Sequence, residues 1–172
     1  QNSYVPEIMN GGRDLGTTND SWLTGEIKVT PLKGWLIDAN YSYNYSTGIS
    51  STTQLPYTVY NALNQPVTAG FTSQLWKTDN TGNYHTYNIF SSYEKQLGNH
   101  YFKALVGYQQ EYKANESVSA HNSNLYNNGL PSLDLTYGNN YSVGDNLWAW
   151  ATEGLFMRFN YNFKDKFLFE FN

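Results

Sequence analysis

The side chains best able to do chemistry in this sequence are scattered along it. Its three histidines, His85, His100 and His121, have no Cys, His or carboxylate at the close spacing of a zinc site, so neither a metal nor another cofactor is expected. No nucleophile elbow, P-loop, dinucleotide fingerprint or EF-hand loop occurs. Nothing selects a carboxylate pair for glycoside hydrolysis from the 14 Asp and Glu residues, and an enzyme is not expected. The Asn-x-Ser/Thr triplets at Asn19, Asn44, Asn115 and Asn140 arise by chance in a chain with 22 Asn. What remains is binding chemistry. Trp76, Tyr126, Tyr137, Tyr141, Trp148 and Trp150 carry ring faces that can stack on sugars or anchor peptides, and they are the candidate ligand-binding residues. Loop packing would use the same rings. The charges Glu26, Lys28, Asp38, Glu94, Lys103, Glu111 and Arg158 fall on one face of the strands described next, where wall contacts are a simpler role for them than a binding site.

Those strands are written in period two. Trp35, Ile37, Ala39, Tyr41, Tyr43 and Tyr45 alternate with Leu36, Asp38, Asn40, Ser42, Asn44 and Ser46. Similar alternation predicts six strands, over 22–30, 35–47, 84–97, 100–113, 147–163 and from 166 onward. Short turns join the first and second, third and fourth, and fifth and sixth strands. Loops of about 36 and 33 residues join the others, much longer than the ~4–6 residues typical of compact domains. Every tight turn therefore lies at one end of the hairpins and every long loop at the other, the arrangement of outer-membrane barrels. Register gives a second line of argument. Parity sets Lys28 opposite Asp38, Glu94 opposite Lys103, Phe163 opposite Phe167 and Asn160 opposite Glu170. Aromatics end the apolar face, with Trp35 and Tyr101 near the tight turns and Tyr41, Tyr43, Tyr45, Tyr108 and Tyr112 nearer the long loops, as interfacial girdles would. Glu153 points outward by parity and is expected beyond the membrane band.

Composition fits this pattern. Of the 172 residues 17% are aromatic and only 14% charged, with 16 Tyr and no Cys. Soluble domains average about 25% charged residues. The net charge of −4 argues against a nucleic-acid partner. The longest apolar run, 147–151, is far short of the ~20 residues of a membrane helix. A mean hydropathy of −0.61 conceals apolar residues held at alternate positions. Starting at Gln1 without a signal peptide and ending within an alternating pattern, the chain reads as an excised piece.

The segment Phe156-Met-Arg-Phe-Asn-Tyr-Asn-Phe-Lys-Asp-Lys-Phe-Leu-Phe-Glu-Phe-Asn172 resembles the barrel hairpin "FGR-x-NYxYKDKYLLEAN" of SusC/RagA-type TonB-dependent outer-membrane transporters. Pro31-Leu-Lys-Gly-Trp-Leu36 is similar to that family's "KPLKWLT" turn, and Lys103-Ala-Leu-Val-Gly-Tyr-Gln-Gln-Glu111 to its "LLGYxxQE" strand. Asn128-Gly-Leu-Pro-Ser-Leu133 resembles the loop that follows. Met157 departs from the family, which usually has Gly there. The resemblance covers most of the chain from Asn19 onward. It implies an all-β fold, residues 1–172 being part of the wall of a 22-stranded transmembrane β-barrel, with the plug, TonB box and C-terminal strand absent from this stretch. It also implies active import of oligosaccharides or peptides across the outer membrane, TonB acting through the plug, and a SusD-like surface lipoprotein as lid. Two alternatives stand beside it. A secreted, aromatic-rich β-sandwich that binds carbohydrate would have to bury Ile37, Tyr41, Val106, Leu155 and Phe159, whereas a barrel leaves them facing lipid. A passive porin or adhesin barrel would lack the plug.

Overall fold

The computed structural model describes residues 4–70 and 72–172. Six strands form one antiparallel sheet: β1 (Gly12–Leu32), β2 (Trp35–Gln54), β5 (Gln74–Leu97), β6 (His100–Ser123), β7 (Ser142–Phe163) and β8 (Phe167–Phe171), neighbours in that order. Between β2 and β5 lies a two-stranded hairpin, β3 (Tyr57–Tyr60) with β4 (Pro66–Ala69). A short helix, α1 (Val5–Asn10), precedes β1, and one 3₁₀ turn (Leu133–Leu135) lies between β6 and β7.

All six expected strands are present, but the long ones run well past their expected ends. The second was expected to stop at 47 and continues to Gln54; the third was expected from 84 and begins at Gln74; the fourth was expected to end at 113 and reaches Ser123. The long connections shrink accordingly to 55–73 and 124–141. The physical reason is that ladder hydrogen bonds need only backbone. Stretches such as Thr47–Gln54, polar apart from Ile49, extend the ladder without any apolar alternation to announce it.

The side-chain contacts agree with the registers read from parity. Lys28 Nζ lies 3.5 Å from Asp38 Oδ2, and the Thr24 and Ser42 hydroxyls are 3.0 Å apart. Lys103 Nζ lies 3.7 Å from Glu94 Oε2. Phe163 pairs with Phe167 and Asn160 with Glu170. At the first tight turn Gly34 has φ +85°, and a Cβ there would fall 2.3 Å from the Glu94 carbonyl oxygen, so this close approach of β5 requires glycine. The turn between β7 and β8 is made by Lys164 and Asp165, both left-handed, with the Asp165 amide donating to Asn162 Oδ1.

The chain divides into two compact units. One comprises 1–19, 46–81 and 115–147 and holds α1, the β3–β4 hairpin and the longer connections. It contains both buried apolar residues, Leu75 and Leu125, with the Ser73 hydroxyl accepting from the Leu125 amide. The other comprises 20–45, 82–114 and 148–172 and holds the three tight turns. Its apolar face is open. Val106 is 53% exposed, Leu155 80% and Phe159 40%, while Ile37 and Tyr41 are half-buried. No second sheet covers these side chains among the described residues, as a sandwich would require.

Candidate functional site

Within the unit that holds the tight turns, the two faces of the sheet carry different chemistry. The apolar face is bounded by two aromatic clusters. Near the turns His100, Phe102, Tyr161 and Phe163 pack together, with His100 Nδ1 2.7 Å from the Tyr161 hydroxyl and ring centroids 4.8–5.0 Å apart for His100–Phe163 and Phe102–Tyr161. Farther along the strands Tyr41, Tyr43, Tyr87 and Tyr112 surround His85. Tyr41 is hydrogen-bonded to His85 Nδ1 at 2.9 Å, and Tyr43 donates to Asn83 Oδ1 at 2.8 Å. Ser91, which interrupts the apolar set of its strand, accepts the Trp35 indole N–H at 2.8 Å. Glu153 lies on the apolar face as its parity requires, but it accepts from the Tyr108 hydroxyl at 3.0 Å and so sits between the two clusters, not beyond them as expected; the phenol supplies a hydrogen-bond partner for its carboxylate.

The polar face opposite the second cluster carries a line of rings. Trp22 on β1 meets Tyr84 on β5 edge to face, centroids 6.1 Å apart, and Tyr84 meets Trp150 on β7 at 6.3 Å. These strands are not neighbours, so the rings reach across β2 and β6. Tyr84 donates to Glu111 Oε2 at 3.1 Å, and Gln109 donates to the other oxygen of Glu111 at 2.8 Å. Beside them Lys113 Nζ lies 5.7 Å above the Trp148 ring, and Asn44 donates to Asp20 and to the Ser21 carbonyl. Trp22 is 60% exposed and Trp150 40%.

The remaining charges on this face are engaged with one another. Lys28 bridges Glu26 at 2.8 Å and Asp38, which is itself buried. Lys103 pairs with Glu94, which also accepts from the Tyr101 hydroxyl at 2.8 Å; Tyr101, expected at the end of the apolar face, therefore lies on the polar face, as its shared parity with Lys103 requires. Arg158 lies 3.8 Å from Glu170 and donates to Asn172 at 2.6 Å. Closer to the turns the Phe156 ring lies over Gly107, where a Cβ would come within 2.2 Å of the ring.

The six candidate ligand residues are thus divided. Trp148 and Trp150 join the polar-face line. Trp76, expected in a loop, is on β5 and stacks on His121 at 4.6 Å, with His121 Nε2 3.1 Å from Gln74 Oε1. Tyr126 and Tyr137 do lie between β6 and β7, in ring contact at 4.6 Å, while Tyr141 is 74% exposed. Trp22 and Tyr84, which join Trp150 in that line, were not among the six candidates. Their signal was available, since both occupy positions of polar-face parity where an aromatic has no solubility role.

Among the described residues no group of three or more His, Cys, Asp or Glu could hold a metal ion. No helix there is long and apolar enough to cross a membrane. No protein-family model matches the chain, and no curated protein matches it. Solved structures do. The chain is similar to structures of the RagAB peptide importer in its "closed-closed" state (18% identity, TM-score 0.78, 91% of this chain) and its "open-open" state (18%, 0.80, 94%). It is also similar to a structure of the RagAB peptide transporter (16%, 0.80, 93%). The likeness shows a common fold, and this chain spans 17% of the length of each of those chains.

Proposed function

We propose that this sheet is a sector of the wall of a large transmembrane β-barrel in an outer-membrane transporter of the SusC/RagA kind, which imports oligosaccharides or peptides. The observation that carries this reading is the pair of aromatic clusters on one apolar face. Phe102 and Tyr112 are ten residues apart on β6. At ~3.3 Å per residue and a tilt of ~40° they would stand about 25 Å apart along the membrane normal, the height of a barrel's apolar band. Between them the face presents Ala104, Val106, Tyr108 and Gln110 outward, with Glu153 held by the Tyr108 hydroxyl, and no sheet covers it among the described residues. Beyond the second cluster β2 and β6 become mostly polar, with Ile49 and Val118 as isolated apolar residues, and these parts would lie outside the bilayer.

Two further observations support a wall over a free-standing sheet. Among the described residues β1 and β8 each pair with a strand on one side only, which leaves a row of backbone groups free at each edge of the sheet. In the transporter reading, TonB drives import through a plug, and a SusD-like surface lipoprotein covers the outer opening. The structural likeness to RagAB supports the class at the level of fold. The test is uptake by cells carrying the full-length protein. Accumulation of labelled oligosaccharide or peptide that stops when the proton-motive force is dissipated is expected. Accumulation that persists would assign a passive pore, and a protein found in the soluble fraction would overturn the barrel.

A further inference from the structure

The polar face carries more aromatic surface than a water-lined wall needs, and the rings form one contiguous row, set edge to face and tilted. Trp22, Tyr84 and Trp150 come from alternate strands and touch across the strands between them, giving a continuous track from β1 to β7. Tyr84 and His85 are consecutive, as are Glu111 and Tyr112. The track therefore stands back to back with the second aromatic cluster of the apolar face, within the same compact unit.

Resting on the transporter reading, we propose that Trp22, Tyr84 and Trp150 form a stacking platform for the pyranose rings of a neutral oligosaccharide, with Gln109, Glu111 and Asn44 as its hydrogen-bonding rim. Three features select this ligand. Trp22 and Trp150 are 60% and 40% exposed, and the C–H-rich face of a sugar covers such a ring without needing a charge. The rim is held in place before any ligand arrives: Tyr84 and Gln109 each donate to one oxygen of Glu111, and Asn44 is fixed on Asp20 and Ser21, so sugar hydroxyls meet oriented partners. The cations of this face are already taken. Lys28, Lys103 and Arg158 pair with carboxylates, and Lys113 lies on Trp148. A ligand whose recognition needed a free ammonium or guanidinium, as a peptide carboxylate does, would have to break one of these contacts.

The test titrates the full-length protein in detergent with maltohexaose, cellohexaose, xylohexaose and a capped, uncharged octapeptide, reading tryptophan fluorescence. At least one hexasaccharide should quench saturably. Trp22→Ala and Trp150→Ala should each weaken it by about tenfold. Trp150→Phe keeps a ring and should weaken it by about threefold or less, and heat-modifiable gel mobility verifies that each variant is folded. Saccharide binding unchanged in the folded alanine variants would overturn the platform, as rings that serve only to pack another segment of the protein would give. Binding of the octapeptide alone, lost with Trp150→Ala, would overturn the ligand class. Energised uptake without any saccharide binding would overturn this inference and leave the transporter reading standing, whereas absence from the membrane fraction would overturn the reading beneath it.

Discussion

Gly107 and Phe156 show how one residue's absence of a side chain shapes the polar face. A Cβ at position 107 would meet three carbons at the tip of the Phe156 ring at 2.2–2.8 Å, so the glycine makes room for that ring against the β6 backbone. The clash is with a side chain, which can swing away. Gly107→Ala should therefore cost only about 1 kcal/mol, at the low end of overpacking, and the cost should vanish in the Phe156→Ala background. Melting temperatures of the four members of that cycle measure the coupling; independent effects would show that the ring does not rest on the glycine. Tyr57, on the β3–β4 hairpin, gives a second prediction. Desolvation, and after it the neighbouring Glu7 carboxylate, push its phenol above the ordinary tyrosine range. The folded state thus favours the neutral phenol. Its contribution is complete below the ordinary tyrosine pKa and is lost as pH rises through the raised value. Phenolate absorbance, taken as wild type minus Tyr57→Phe, should titrate late, and Glu7→Gln should bring that midpoint back toward the ordinary range.

Hairpin register was legible because two constraints met at each turn: strand parity fixed whether the loop was odd or even, and turn chemistry limited its length. Lys28 with Asp38, Glu94 with Lys103 and Phe163 with Phe167 all follow from that. The extension of β2, β5 and β6 was not legible, since Thr47–Gln54 has Ile49 and Asn115–Ser123 has Val118 and Ala120 as their apolar residues, too few to mark a period. The hairpin of Tyr57–Tyr60 with Pro66–Ala69 and helix α1 were hidden likewise by short length. At the site, Trp148 and Trp150 could be named by residue type, but their partners could not, because Trp22, Tyr84 and Trp150 meet across intervening strands and no sequence spacing encodes that contact. The register itself can be tested in the full-length protein, which within this chain has no cysteine to interfere. The Thr24 and Ser42 hydroxyl oxygens are 3.0 Å apart, so a Thr24→Cys, Ser42→Cys pair should oxidise to a disulfide readily. Moving the second cysteine to Tyr43 places it on the opposite face and should prevent the crosslink. Efficient crosslinking of the Tyr43 pair would mean the strands have slipped by one residue.

The chain as a whole has more surface than it can keep from water alone. Its accessible area is 12647 Å², against about 8,600 Å² for a globular protein of this mass. Leu75 and Leu125 are its buried apolar residues among those described, while Leu23, Ile27, Val106, Leu155 and Phe169 stay open to the surroundings. A sheet with so little core cannot be stabilised by its own packing. If its apolar face meets another apolar phase, two neighbouring residues decide whether that phase is lipid. Val106 points to the apolar face between the two aromatic clusters, and Leu105 points to the polar face at the same depth. If the apolar face meets a bilayer, Val106→Arg carries a charge toward hydrocarbon and should cost about 2–4 kcal/mol, whereas Leu105→Arg enters the water-lined side and should cost much less. The measurement is the folded fraction of the full-length protein in liposomes, read by heat-modifiable mobility across a denaturant series. If the face instead met a second protein layer in water, removing the lipid would erase the large penalty at 106 only when that layer was also removed. Equal penalties at the two positions would therefore sink the assignment of the apolar face to lipid and the polar face to water.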